Sequence, residues 1–139
     1  MKVCKFEKIK DEDEMKQVIN CIQKEHPYVA VVPILAQLQE WLQAISSSWF
    51  HEEDKASHAT VNAIEAYCCT LANHLITDSH LNQEIKNRIL ECIKKIHILV
   101  EDKADLLIDK MIKAEIYGLS SDLFTYCLRQ QGLRAQTLD

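Results

Sequence analysis

The stretch "KVCKFEKIKDEDEMKQVINCIQKEHPYVAVV", residues 2–32, decides how this chain folds. It opens with a β-prone run at residues 2–6 and closes with an apolar run at residues 28–32, which predicts a buried strand. The apolar positions between them recur at helical spacing, at Met15, Val18, Ile19 and Ile22. A strand, a helix and a strand within this length predict a βαβ unit, in which the two strands are parallel.

The rest of the chain is predominantly helical in pattern. From Ile34 onward, apolar residues follow helical spacing, and we predict interruptions at Ser46–Ser48 and at Gly118. Thr77–Ser79 predicts a helix cap, and Gly132 predicts a helix end.

These patterns predict one domain, residues 1–139, with a predominantly helical α/β fold. We expect five to six helices and a small parallel sheet of two to three strands, near residues 2–6, 28–32 and 133–138. An all-α bundle is the alternative, because residues 6–25 could be helical throughout.

Composition and charge argue against nucleic-acid binding and against membrane insertion. The net charge of −5 argues against a nucleic-acid partner, which would require a basic face. No apolar run approaches the roughly 20 residues of a membrane helix, and the first residues are too polar for a signal peptide. We therefore expect a cytoplasmic protein without membrane insertion. The six cysteines are scattered among apolar neighbours, which predicts reduced, buried thiols.

Two stretches near the ends of the chain carry a family resemblance. One is "KVCKF" followed by "MKQVINCIQKEHPYVAVV", and the other is "YGLSSDLFTYCLRQQGLRAQTLD" at residues 117–139. Together they resemble the N-terminal part of the aspartate kinase catalytic domain, the second around the family's catalytic glutamate. The helical middle is similar in layout but shorter. The family's remaining nucleotide-binding part and its regulatory domains have no counterpart in this sequence.

The resemblance implies that phosphate would bind at the turn after the first strand. In this chain that turn does not carry the family's phosphate-binding residues. The family has lysine-phenylalanine-glycine-glycine-threonine-serine after its first strand. Here Lys5 matches the lysine, while Glu7 and Lys8 replace the glycines that let the backbone approach phosphate. Glu7 would also place a negative charge against a polyanion, at a cost of roughly 4 kcal/mol for charges 4 Å apart.

The family's other two polar motifs are also replaced. The stretch 33–39 stands where the family has a serine and a glycine turn, and Ile116–Tyr117 stands where it has glycine and glutamate. Glu115, or a slip of one residue, is the alternative that would restore the glutamate. The resemblance therefore implies a chain that is not an enzyme, with no catalytic residues and no cofactor.

We predict a non-catalytic module that binds another protein or a second copy of itself, as an adaptor or a subunit of a larger assembly. A small sheet leaves an unpaired edge that must be covered. The side chains predicted to anchor a partner are Trp41, Trp49 and Phe50, with core packing as the alternative. Other functions stay open: a regulatory partner of a genuine aspartate kinase, a small acidic secretion-type chaperone, or new enzyme chemistry using Cys127 or residues 51–58.

One constellation has the spacing of a metal site. His51, Asp54 and His58 fall at i, i+3 and i+7 and would share a helical face. They also lie at a predicted helix start, where acids act as caps and partners of the helix dipole. We favour the cap and predict no metal.

Overall fold

The structure is a computed structural model that describes residues 2–50, 54–102 and 106–137. Over these residues it contains a two-stranded sheet and five helices. In chain order these are β1 (Val3–Lys5), α1 (Glu12–Glu25), β2 (Val29–Val31), α2 (Ala36–Phe50), α3 (Asp54–Leu75), α4 (Ser79–Glu101) and α5 (Leu106–Gln130). The predominantly helical α/β fold predicted from the sequence is confirmed.

The first three elements form the predicted strand–helix–strand unit. β1 and β2 are parallel, with Val3 opposite Val29 and the register continuing to the strand ends. The carboxylate of Asp11 caps α1 by accepting a hydrogen bond from the Glu14 amide at 2.9 Å. α1 ends at His26, which adopts the left-handed conformation with a φ of 48° immediately before Pro27.

Two predicted interruptions are wrong, because tertiary contacts outweigh local preference. α2 continues through Ser46–Ser48 to Phe50. The Ser46 hydroxyl donates to Asp109 Oδ1 at 2.7 Å, which ties this turn of α2 to α5. α5 continues through Gly118, since Ile116 and Leu119 on either side of it keep the helix buried against the core.

The end of the chain differs from the predicted third strand near residues 133–138. Residues 133–137 form no strand, and Leu138 lies outside the described residues. Gly132, with a φ of 86°, ends α5 as predicted. The amide of Leu133 reaches back to the Leu128 carbonyl at 3.1 Å, and the tail then folds back along α5.

The core lies between the helices. α3 packs against both α2 and α4, and α4 packs against α5. Asp78 caps α4 through its carboxylate, which accepts from the Leu81 amide at 2.9 Å, as the cap prediction required. Fully buried apolar side chains come from every helix, among them Met15, Leu38, Ile64, Ile89 and Ile116.

Candidate functional site

The turn after β1 packs into the core. Lys5, Glu7 and Lys8, which correspond by resemblance to a phosphate turn, are all exposed. Ile9 beside them is fully buried, and its carbonyl accepts a hydrogen bond from the Ala36 amide at 3.0 Å, at the start of α2. The turn therefore anchors α2 through a buried side chain and a backbone contact.

A carboxylate of the protein already accepts a hydrogen bond from a backbone amide of this turn. Glu14 Oε2 accepts from the Lys10 amide at 2.7 Å, while the Glu14 amide is taken by Asp11. An amide at a helix start is the kind of donor that would otherwise hold an anion. The negative charge of Glu14 would repel a phosphate at the same place.

The stretches that correspond by resemblance to the other two polar motifs make structural contacts. The Leu35 amide donates to Ser120 Oγ at 3.3 Å, which joins the start of α2 to α5. Ile116 is fully buried and Tyr117 is 45% exposed. Glu115, the one acid nearby, lies 3.9 Å from Lys95 Nζ.

A groove of about 950 Å³ lies beside β2. One wall is residues 26–32, the other is the tail at residues 133–137, and α5 forms the floor. The floor is mixed, with the apolar side chains of Phe124 and Leu128 beside the polar Ser121, Thr125 and Arg129 of α5. The tail and β2 thus face the same space without pairing to each other.

The groove runs along the open edge of β2. Every residue from His26 to Val32 lines it, whereas a groove across one sheet face would be lined by alternate residues. The Val31 carbonyl accepts from the Phe6 amide at 2.9 Å, so Val31 directs its backbone toward β1. Because neighbouring residues of a strand direct their backbone groups to opposite sides, Ala30 presents its N–H and C=O to the groove.

The charge of the groove is opposite to that of the protein. Among the described residues, no aspartate or glutamate lines it, although the chain carries 21 of these acids. Two of the three arginines of the chain, Arg129 and Arg134, lie on its lining. The guanidinium group is planar and matches a carboxylate with two parallel hydrogen bonds. The groove is therefore suited to acidic groups.

The side chain of Arg129 is fixed by contacts with its own chain. Its guanidinium lies over the ring of Tyr126 at 5.0 Å, and its Nε donates to the Ala135 carbonyl at 2.9 Å. Tyr126 is itself fixed, since its hydroxyl donates to Glu84 and accepts from Arg88 Nε, both at 3.1 Å. This network orders the arginine before any ligand arrives, which lowers the entropic cost of binding.

The tail is fixed by contacts with α5. The Thr137 hydroxyl donates to Asp122 Oδ1 at 3.2 Å, and lies 2.8 Å from the Thr125 hydroxyl. These contacts keep the second wall of the groove in place and explain why residues 133–137 do not join the sheet.

Of the predicted anchors, the structure describes the side chain of Trp41. Trp41 is half-buried and packs edge-on against Tyr67, with ring centroids 5.4 Å apart, and it does not line the groove. The side chains of Trp49 and Phe50 lie outside the described part of the chain.

Sequence reasoning missed the residues that do line the groove. Arg129 and Arg134 were detectable, because residues 123–137 contain no acid in a chain that is otherwise acidic. Their position beside β2 was not detectable, because it depends on how α5 returns to the sheet.

Of the predicted metal candidates, His58 is described, while His51 and the side chain of Asp54 are not. His58 stacks on His97, with Nδ1 atoms 2.6 Å apart. His97 Nε2 lies 3.1 Å from Asn62 Oδ1, and His58 Nε2 lies 3.4 Å from Glu101. Within the described ranges, no group of three or more histidine, cysteine, aspartate or glutamate side chains has the geometry to hold a metal.

The cysteines are free thiols. Burial raises the pKa of Cys127 to about 12 and is also the main cause of the raised pKa of Cys92, about 12. Cys127 is therefore protonated at neutral pH, whereas a nucleophilic cysteine requires the thiolate.

None of the helices in the described ranges has the length and apolar character needed to cross a membrane. Comparison of the chain with models of protein families, with curated proteins and with solved structures finds no match.

Proposed function

We propose that this protein is a non-catalytic protein-binding module that takes an extended, acidic segment of a partner protein along the open edge of β2. The observation that carries the proposal is the coincidence, in one groove, of a strand edge that no described residue pairs with and a described lining that has arginines and no acids. The proposal rests on three contributions to binding.

The strand edge supplies backbone hydrogen bonds. An extended segment beside β2 would pair with the N–H and C=O of Ala30, as in other complexes formed by strand addition. The described residues place no strand on that side of β2. The tail stands across the groove, so an inserted segment would be bordered on both sides.

The floor and rim supply selectivity. Alternate side chains of an extended segment point in opposite directions, so one set would contact Phe124 and Leu128. Carboxylates in the other set would meet Arg129 and Arg134 at the rim. A basic segment would instead meet like charges and be disfavoured.

The turn after β1 supports a role without phosphoryl transfer. Phosphoryl transfer depends on positioning the nucleotide and neutralising its charge. Here Glu7 is exposed on the turn, the Glu14 carboxylate takes a turn amide, and Ile9 fills the space beneath. Phosphorylation of aspartate by the purified chain with Mg-ATP would contradict this part of the proposal.

The binding experiment uses three synthetic peptides of about eight residues, the length of a typical strand. The first alternates valine and glutamate, the second alternates valine and lysine, and the third is the acidic peptide with two prolines. Fluorescence anisotropy measures affinity. We expect the first peptide to bind at least tenfold more tightly than the other two, because lysine reverses the charge and proline removes edge hydrogen bonds.

A pair of charge variants places the peptide in the groove. Arg134→Glu should weaken binding of the acidic peptide, whereas Lys94→Glu, at an exposed position on α4 outside the groove, should change it little. Binding of the acidic peptide should also slow amide hydrogen exchange at Ala30. Equal binding of all three peptides, or equal effects of the two variants, would contradict the proposal.

A further inference from the structure

The outer face of α5 is apolar. Leu107 is 66% exposed and Met111 is 45% exposed, and Ala114 and Gly118 are also exposed. These four residues follow one another at intervals of four, three and four, so they form one continuous stripe along the helix. The stripe lies opposite the buried side of α5, which includes Ile112 and Ile116.

A helix that is apolar on two opposite sides normally has both sides covered. The described residues cover only the inner side of α5. The apolar surface extends beyond the stripe, since Leu106 is 72% exposed and Tyr117 is 45% exposed on the same helix. Apolar patches of this kind, rimmed by charged residues, mark interaction surfaces.

No contact within the described ranges explains Gly118. It lies in the middle of a long helix, where glycine is disfavoured relative to alanine. A Cβ added there would meet nothing within 4 Å, and Gly132 alone among the described glycines has a positive φ. Neither the packing of the described residues nor the backbone conformation therefore requires glycine here. A close approach by another backbone would require it.

The order of side-chain sizes along the stripe, large at Leu107 and Met111 and small at Ala114 and Gly118, favours a second copy as the partner, and the spacing permits it. Intervals of four, three and four read the same in both directions, so a two-fold axis midway between Ile112 and Lys113 maps the stripe onto itself. We propose that the outer face of α5 is a homodimer interface in which two copies of this helix pack antiparallel. A two-fold interface uses one patch on both subunits, which the stripe permits.

The antiparallel arrangement matches large residues with small ones. Leu107 lies opposite Gly118 of the partner subunit, and Met111 lies beside Ala114 of the partner subunit. The distance between the two helices then stays constant along the stripe. In a parallel arrangement each residue would face the same residue of the partner subunit. Leucine would then meet leucine at one end of the stripe, and glycine would meet glycine at the other.

The charges beside the stripe tolerate this arrangement. In an antiparallel pair, each flank of a helix faces the same flank of its partner, which brings Lys110 to the Tyr117 ring of the partner subunit as a cation–π contact. The acids of the other flank are already neutralised. Glu115 lies 3.9 Å from Lys95, and Asp122 lies 3.2 Å from Arg88.

One helix pair buries an area at the low end for specific interfaces. We therefore expect a dimer that dissociates on dilution, with a dissociation constant of roughly 1–100 µM. None of the four stripe residues lines the groove beside β2, so both subunits keep their grooves open. This inference is independent of the proposed function.

The test is sedimentation velocity of the full chain over roughly 1–200 µM. We expect a shift from monomer to dimer across this range. Leu107→Glu should raise the dissociation constant at least tenfold, because it buries a charge in the interface. Leu90→Glu is the matched control. Leu90 is also an exposed leucine, but it lies seven residues before His97, on the side of α4 that faces α3.

A second variant separates dimerisation from folding. Gly118→Leu adds a good helix former where the monomer has open space, so the circular dichroism spectrum should not change. The added side chain would collide with Leu107 of the partner subunit and abolish the dimer. A chain that stays monomeric at every concentration would overturn the proposal. So would a dimer that both stripe variants leave intact, or one that Leu90→Glu weakens as much as Leu107→Glu.

Discussion

The sheet and the helical bundle differ in how completely they bury their own residues. Neither strand contains a buried residue, and Val31 at the end of β2 is 45% exposed. α4 alone buries six residues, and Val61 of α3 is fully buried. Apolar residues predicted both regions from the sequence. Within the described chain, the helices bury their apolar side chains and the strands leave theirs partly exposed.

This difference in burial suggests that the bundle determines stability and that the sheet is the part available for binding. Interdigitated helices such as α3 and α4 supply most of the buried apolar area, so they should open last. A two-stranded sheet is marginal by itself and keeps a free edge. We therefore expect mutations in the bundle to change stability and mutations in the sheet to change binding.

The largest effect comes from one substitution made in both regions. Val61→Ala removes two methyl groups from a fully buried site and should lower the free energy of unfolding by about 2–3 kcal/mol. Val31→Ala, at a site 45% exposed, should lower it by less than about 1 kcal/mol. Urea unfolding followed by circular dichroism measures both. Equal losses would mean that the sheet belongs to the same cooperative core.

A polar contact inside the bundle should have a smaller effect. Ser46 donates to Asp109, which is 7% exposed and lies 3.1 Å from Lys113. Ser46→Ala leaves that buried carboxylate with one partner fewer and should cost about 1–2 kcal/mol. Ser47→Ala, at an exposed position on the same helix, is the control and should be close to neutral in the same urea titration.

The two glycines should respond to alanine with opposite signs. Gly118→Ala should stabilise the monomer by about 0.5–1 kcal/mol, because a helical Cβ there meets nothing. Gly132→Ala should destabilise by a similar amount or more, about 1 kcal/mol, because a φ of 86° strains any residue with a Cβ. Thermal unfolding in dilute solution compares them, and shifts of the same sign would contradict the helix-end geometry.

The smallest expected effect is a pH dependence at the α3–α4 contact. Burial, and then the charge of His58, lower the pKa of His97. Unfolding restores the ordinary value of about 6.5, so the unfolded chain binds this proton first as the pH falls. The contribution of His97 to stability is therefore present above that pH and is lost below it.

Urea midpoints at about pH 7.5 and about pH 5.5 measure this loss. His97→Gln should reduce the difference between the two midpoints. His80→Gln removes a histidine whose side chain is 81% exposed and should change the difference less than His97→Gln does. A larger effect of His80→Gln would mean that His97 does not set the pH response.

The helices could be predicted from the sequence because each one presents a regular apolar stripe to its neighbours. The stripe of α4, which includes Ile85, Ile89 and Ile96, is an example. The false interruptions share one cause. The residue that holds Ser46 in its helix lies 63 positions away, and a local pattern carries no information about such a partner.

The candidate site could be predicted only in part. An unpaired strand edge followed from the small number of predicted strands. The arginines did not, because Arg129 and β2 come to line the same groove only through the return of α5. Trp41 was a poor guide to the groove, since it packs on Tyr67 and does not line the groove.

The cysteines differ in burial, so the order in which they are alkylated reports which part of the protein opens first. Cys92 and Cys127 lie within the bundle with pKa values raised to about 12, whereas Cys4 and Cys21 are half-buried beside the sheet. Alkylation requires access and a thiolate, so each thiol reports when its surroundings open. Mass-resolved labelling over time should modify the cysteines of the sheet region first. A ligand seated on β2 should delay that early phase and leave the late phase of the bundle unchanged.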